Sequence, residues 1–145
     1  MKRIILISSI FALAAAISAC GDDHDHDHEG HNHNQEATFP LIGTWTSNFG
    51  GTEVITSTSW NGARLVEFDA DAFVAYTQNP ADASFGPNEF NKIEWTGLTD
   101  NSFYYCFVDF GLATLDAAKS STQTADASDP DNSGCGGFGW TKLTK

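Results

Sequence analysis

The chain reads as an all-β protein, a mostly antiparallel meander, small barrel or sandwich of about seven strands and one short helix, preceded by a disordered tail. Three observations predict this. From Thr38 onward the composition shifts abruptly to aromatic and β-branched residues, the types that suit a pleated, half-buried surface. Short runs alternate apolar and polar residues with the period of a strand. Turn-forming residues then separate those runs at regular intervals. Roughly 105 residues give room for one core and not two.

Taken in order, residues 41–47 form a short first strand containing Trp45. Residues 53–60 and 63–69 are predicted as strands joined by Asn61-Gly62, a type I′ hairpin signal because both residues tolerate positive φ. Residues 72–78 form the next strand after an acidic turn, and residues 79–88, with two prolines and a glycine, form a loop. Residues 89–96 and 102–110 are predicted to pair through a turn at 97–101. In the second of these, Phe103, Tyr105 and Phe107 share one face and Tyr104, Cys106, Val108 and Phe110 the other. Both faces are apolar, which predicts a central strand. Residues 114–121 suit a short helix on the spacing of Leu115, Ala118 and Lys119, residues 125–137 a polar loop, and residues 138–143 a last strand.

The first 37 residues have a different character. Lys2 and Arg3 precede an apolar run over residues 4–17 broken only by Ser8 and Ser9, and small residues follow. This is the pattern of a secretory signal, and the run is shorter than the roughly 18–20 residues of a membrane-spanning helix. Ile17-Ser18-Ala19-Cys20 resembles the bacterial lipobox. The resemblance implies cleavage before Cys20, a covalent lipid on its sulfur, and a cell-envelope protein that is membrane-anchored without crossing the bilayer. Gly21, rather than Asp, follows the cysteine, which favours the outer membrane over the inner. The expected organisation is a signal peptide over 1–19, a lipidated cysteine with a tether over 20–37, and a β-domain over 38–145.

Loss of residues 1–19 leaves five basic residues against 19 acidic ones, a charge of −14. Phosphate contacts need Lys and Arg, so nucleic acid is excluded as a partner. Cations and basic partners remain compatible. No protein partner is legible, and a monomer is expected. With Cys20 assigned to lipid, Cys106 and Cys135 remain. In an oxidising compartment they are expected to form a disulfide, worth roughly 3–4 kcal/mol for a loop of that length. Two free thiols or a metal pair are the alternatives.

Gly43-Thr44-Trp45 resembles the Gly-x-Trp signature of lipocalins and related calycin barrels, in which the Trp plugs the closed end. The resemblance implies a barrel. The basic residue that customarily partners this Trp is an Arg near the last strand, where this chain offers only Lys142 and Lys145.

Residues 21–36 contain no apolar side chain, so they cannot offset the entropy of ordering and are expected to be a mobile tether. All five histidines lie there: His24, His26, His28, His31 and His33. Neutral imidazole is a good ligand for Zn(2+), Ni(2+) and Cu(2+). The interleaved carboxylates, Asp25 and Asp27 foremost, add charge attraction. The expectation is loose capture of divalent transition metal that weakens in mild acid, since protonated His does not ligate. A His-rich segment before a Gly-x-Trp β-domain is similar to ZinT-type periplasmic zinc-binding proteins, which carry further histidines inside the barrel domain; here that domain has none. The plain alternative is a solvated spacer.

Other chemistry is sparse. His28-Glu29-Gly30-His31 has the wrong spacing for a zinc-protease motif, which needs two His four apart on a helix. Asp129-Pro130-Asp131-Asn132-Ser133-Gly134 opens like a calcium loop, but its twelfth position is Trp140 instead of an acid, so a polar turn is expected. With no histidine in the domain, a Ser-His or Cys-His nucleophile is unavailable. Glu67, Asp69, Asp71, Glu89 and Glu94 are the candidate carboxylates for glycoside chemistry, with a solvated surface as the alternative. The expected function is therefore non-enzymatic: a membrane-anchored lipoprotein whose tail binds transition metal. The alternative is a small-ligand-binding or envelope-structural lipoprotein with the tail as spacer. A pocket would then be lined by some of Trp45, Trp60, Phe73, Trp95, Phe103 and Tyr105, which otherwise serve as ordinary core.

Overall fold

Eight short strands, each hydrogen-bonded to the next in sequence, curl until the last meets the first in a closed antiparallel barrel. The computed structural model describes residues 38–145. The signal segment, Cys20 and the His/Asp tail lie outside the described residues. The strands are β1 (Gly43–Ser47), β2 (Thr52–Ile55), β3 (Ser59–Trp60), β4 (Ala63–Asp69), β5 (Val74–Gln78), β6 (Phe90–Trp95), β7 (Ser102–Leu112) and β8 (Thr141–Thr144). Closure is made by the pairs Thr46↔Thr144 and Ser47↔Leu143.

The eighth strand comes from a correction. Residues 53–60, expected as one strand, are two. Thr56 breaks the run by folding its side chain back: Oγ1 accepts from the backbone N–H of Thr58 and Ser59 at 3.2 and 2.9 Å. Such local side-chain bonds compete with the ladder. Residue 72 is likewise no strand start. Asp69 Oδ1 accepts from the backbone of Asp71 and Ala72, and Phe73 sits at positive φ, so pairing begins at Val74. The last strand starts at Thr141 rather than 138, because Cys135 and Phe138 close a tight turn of their own. Asn61-Gly62 behaves as expected, with both residues at positive φ. The helix α1 (Leu115–Ser120) also forms, capped by Thr114 Oγ1 accepting from Ala117 N–H.

Barrel closure gives the molecule two ends. The chain's entry, the β2–β3, β4–β5 and β6–β7 turns and the C-terminus share one end; the β1–β2, β3–β4, β5–β6 and β7–β8 connections share the other. The first end is plugged. Phe39, Leu41, Trp45, Trp95 and Phe103 are buried there. Trp45 meets Phe103 edge-on at 4.8 Å between ring centroids, and its indole N–H donates to Leu41 O at 2.9 Å. Lys145 Nζ lies 4.5 Å from the Trp45 ring centroid. A lysine thus covers the indole, an arrangement favoured by the ring quadrupole.

The outside of the barrel is dressed on one flank by the long β7–β8 connection. Cys106 on the outer face of β7 is bonded to Cys135 in that connection, as the cysteine count predicts. Lys92, nearly buried on β6, donates to the carbonyls of Ser121 and Gln123 at 3.2 and 2.7 Å and pairs with Glu94 at 3.4 Å. These contacts explain why β7 has two apolar faces: one meets the core and the other this flap. Phe107 and Phe110 depart from the central-strand expectation and are exposed, because Phe107 lies at the open end of the barrel and Phe110 walls a hollow beside it. An apolar interior and strands mostly of two to seven residues are the reverse of a membrane-spanning barrel.

Candidate binding site at the barrel mouth

The unplugged end holds a cavity of about 280 Å³. Trp60 forms part of its wall and links it to the core, since its ring meets those of Phe39, Trp95, Phe103 and Tyr105. Glu53, Tyr105 and Phe107 line it, and Asn61-Gly62 and Asn79-Pro80 form its lip. Period-2 alternation places these groups. Ile55 faces the core, so Glu53, two residues earlier on β2, shares its face. Phe103, Tyr105 and Phe107 do the same along β7.

The chemistry is concentrated in three side chains. Glu53 is only 8 % exposed. Its Oε1 accepts the Tyr105 hydroxyl at 2.8 Å, but its Oε2 is buried with no partner. Trp60 Nε1 is a second buried polar atom without a partner. Both residues line the cavity, while these two atoms are buried within its wall. Burial, and then the neighbouring Glu53, push the Tyr105 phenol well above its ordinary range. It stays protonated and keeps donating to the carboxylate.

No counter-charge from the described residues meets Glu53. Arg64 donates to Gln78 at 3.0 Å, and Lys92 is held under the flap. Lys119 pairs with Glu67 at 2.6 Å. Lys142 sits over Tyr104 at 5.0 Å and Lys145 over Trp45. The cavity thus contains a carboxylate whose remaining valence the barrel does not fill.

A second hollow of about 450 Å³ shares Asn79 and Phe107 with the first and is walled by Phe85 and Phe110. These two rings are 72 % and 58 % exposed and lie 6.5 Å apart. A polar ladder fixes the boundary: Asn91 Nδ2 donates to Asn79 Oδ1 at 2.9 Å, and Asn79 Nδ2 to Gly86 O at 3.0 Å. The loop carrying Phe85 is thereby tied to the barrel rim.

Of the six aromatics expected around a pocket, Trp60 and Tyr105 line the cavity. Trp45, Trp95 and Phe103 are packed core, and Phe73 lies edge-on to Trp95 in the β4–β5 turn. The five candidate carboxylates do not line the cavity. Glu67 pairs with Lys119, Asp69 caps a turn, and Glu94 accepts from Ala125 N–H. Asp71 lies in the β4–β5 turn, and Glu89 in the β5–β6 loop. Glu53 escaped the sequence reading, although its spacing from Ile55 was a usable signal. The 129–134 stretch is a turn as expected. Asn132 and Ser133 donate to Asp129 O, Tyr104 bonds Asp131, and Trp140 donates to Asp126 O. Among the described residues no group of three or more His, Cys, Asp or Glu is placed to hold a metal. The expected ligands His24, His26, His28, His31, His33, Asp25 and Asp27 lie outside those residues, as does Cys20.

No protein-family model, curated protein or solved structure matches the chain.

Proposed function

We propose that the chain is a lipid-anchored envelope protein whose barrel binds a small ligand at its open end. The carrying observation is the cavity of about 280 Å³ at the mouth, whose lining includes Glu53 with no counter-charge from the described residues. A concave, mostly apolar cavity with a few polar groups is the usual form of a small-molecule site. The Gly43-Thr44-Trp45 opening, with Trp45 at the plugged end and a cation over its ring, supports a lipocalin-like reading of this architecture. The lipobox-like Ile17-Ser18-Ala19-Cys20 supports the anchor. A fragment screen by amide-resolved NMR tests the reading. Binders should shift Glu53, Trp60 Nε1–H, Tyr105 and Phe107 together, and a screen with no such binder sinks it.

A second reading concerns the tail and rests on the confinement of all five histidines to residues 24–33. It is that the tether captures Zn, Ni or Cu beside the membrane while the barrel serves another ligand. Calorimetry should find divalent metal uptake lost on deletion of residues 22–34 with barrel unfolding unchanged. Uptake that survives the deletion rejects it.

A further inference from the structure

We infer that the ligand is a small amphipathic ammonium ion. The inference rests on the mouth-binding reading above and names its chemistry. Glu53 selects charge. Its side chain lines the cavity, the described cations are engaged elsewhere, and a buried carboxylate is stabilised most by an opposite charge brought into the same cavity. An anion would meet Glu53 with like charge.

An inorganic cation fits poorly. Calcium takes six to eight oxygens and zinc four N, S or O ligands, and the cavity supplies one carboxylate with no second acid or histidine. An organic cation needs fewer contacts. It also gains from the aromatic walls, because a cation over Trp or Tyr is attracted by the ring face. The cavity of about 280 Å³ lies near the lower limit of ligand pockets, which suits a head group of a few heavy atoms. Phe107 is common to this cavity and the hollow walled by Phe85 and Phe110. That shelf provides apolar surface for the rest of the molecule.

Three probes with one aromatic body separate charge from shape: 2-amino-1-phenylethanol, neutral 1-phenylethanol and anionic mandelate. Each is titrated at pH 7 into the full chain in detergent, reading calorimetry and the Trp60 indole N–H resonance. The amino alcohol should bind at least tenfold more tightly than either of the others, and Glu53→Gln should erase that preference. The Gln side chain keeps an acceptor for the Tyr105 hydroxyl, and near-UV dichroism checks that the variant folds. The probe series on the unaltered protein decides the matter even if the variant does not fold. Equal binding of all three at the mouth overturns the ammonium inference and leaves mouth binding intact. Preference for mandelate overturns it more strongly, as does a preference that survives Glu53→Gln. Silence from all three overturns it too, while mouth binding falls only if the fragment screen is also silent.

Discussion

The two ends of the barrel use the same side chain differently. At the plugged end the Trp45 indole N–H is satisfied by Leu41 O, its ring by Phe103, and its outer face by Lys145. At the mouth the Trp60 ring is equally well packed, yet its N–H has no partner, and the neighbouring Glu53 has a free oxygen. One end has every valence closed. The other keeps two open at a cost in stability. An unsatisfied buried donor or acceptor costs about 1–3 kcal/mol, so one of each at the mouth lowers the stability of the fold.

The contrast can be broken or sharpened by measurement. The largest expected effect is a control outside both ends. Replacing Cys106 and Cys135 by Ser should remove about 3 kcal/mol from chemical unfolding by freeing the flap that covers β6 and β7, and mouth binding should persist under folding conditions. The next effect addresses the contrast itself. Trp45→Phe deletes a satisfied N–H and should destabilise by about 1–3 kcal/mol through the orphaned Leu41 carbonyl and lost ring area. Trp60→Phe deletes an orphan. Lost ring area should then be offset, leaving stability within about 1 kcal/mol of the parent. Equal losses in the two variants would mean that the ends do not differ as described.

A third measurement concerns pH. The Tyr105 phenol is raised in the folded state by burial and by Glu53. Its contribution is therefore fully present below the unfolded value near pH 10 and is lost as pH climbs towards the folded one. Above pH 10 the unfolded chain binds fewer protons, so unfolding becomes easier by at most about 1.4 kcal/mol per pH unit for this group. Tyr105→Phe should flatten the alkaline limb of the stability curve. An unchanged slope would show that the phenol ionises without opposition from its surroundings. The smallest effect is Lys145→Ala, which uncovers Trp45 and should cost roughly 0.5–1 kcal/mol in thermal unfolding with no change in mouth binding.

Local signals in the chain were sufficient for much of the architecture. Alternation located the strands, Asn61-Gly62 specified a hairpin, and Thr114 marked the start of the helix, because strand period, positive φ and capping all act within a few residues. Two cysteines left after Cys20 implied the bond between Cys106 and Cys135. The division at Thr56 was missed because apolar alternation continues through it, while a hydroxyl turned onto its own backbone ends the pairing.

The site belongs to tertiary structure. Glu53 and Tyr105 are 52 residues apart and meet across the barrel interior, a contact that periodicity cannot express. Alternation shows that Glu53 and Ile55 share a face, but only closure decides that this face is the inside. Closure likewise left Glu67 and Glu94 to external partners and Glu53 as the acid at the mouth. Curling a sheet onto itself depends on all eight registers together. Sequence alone determined which residues alternate and where the chain turns, and the closed barrel decided which of them look inward.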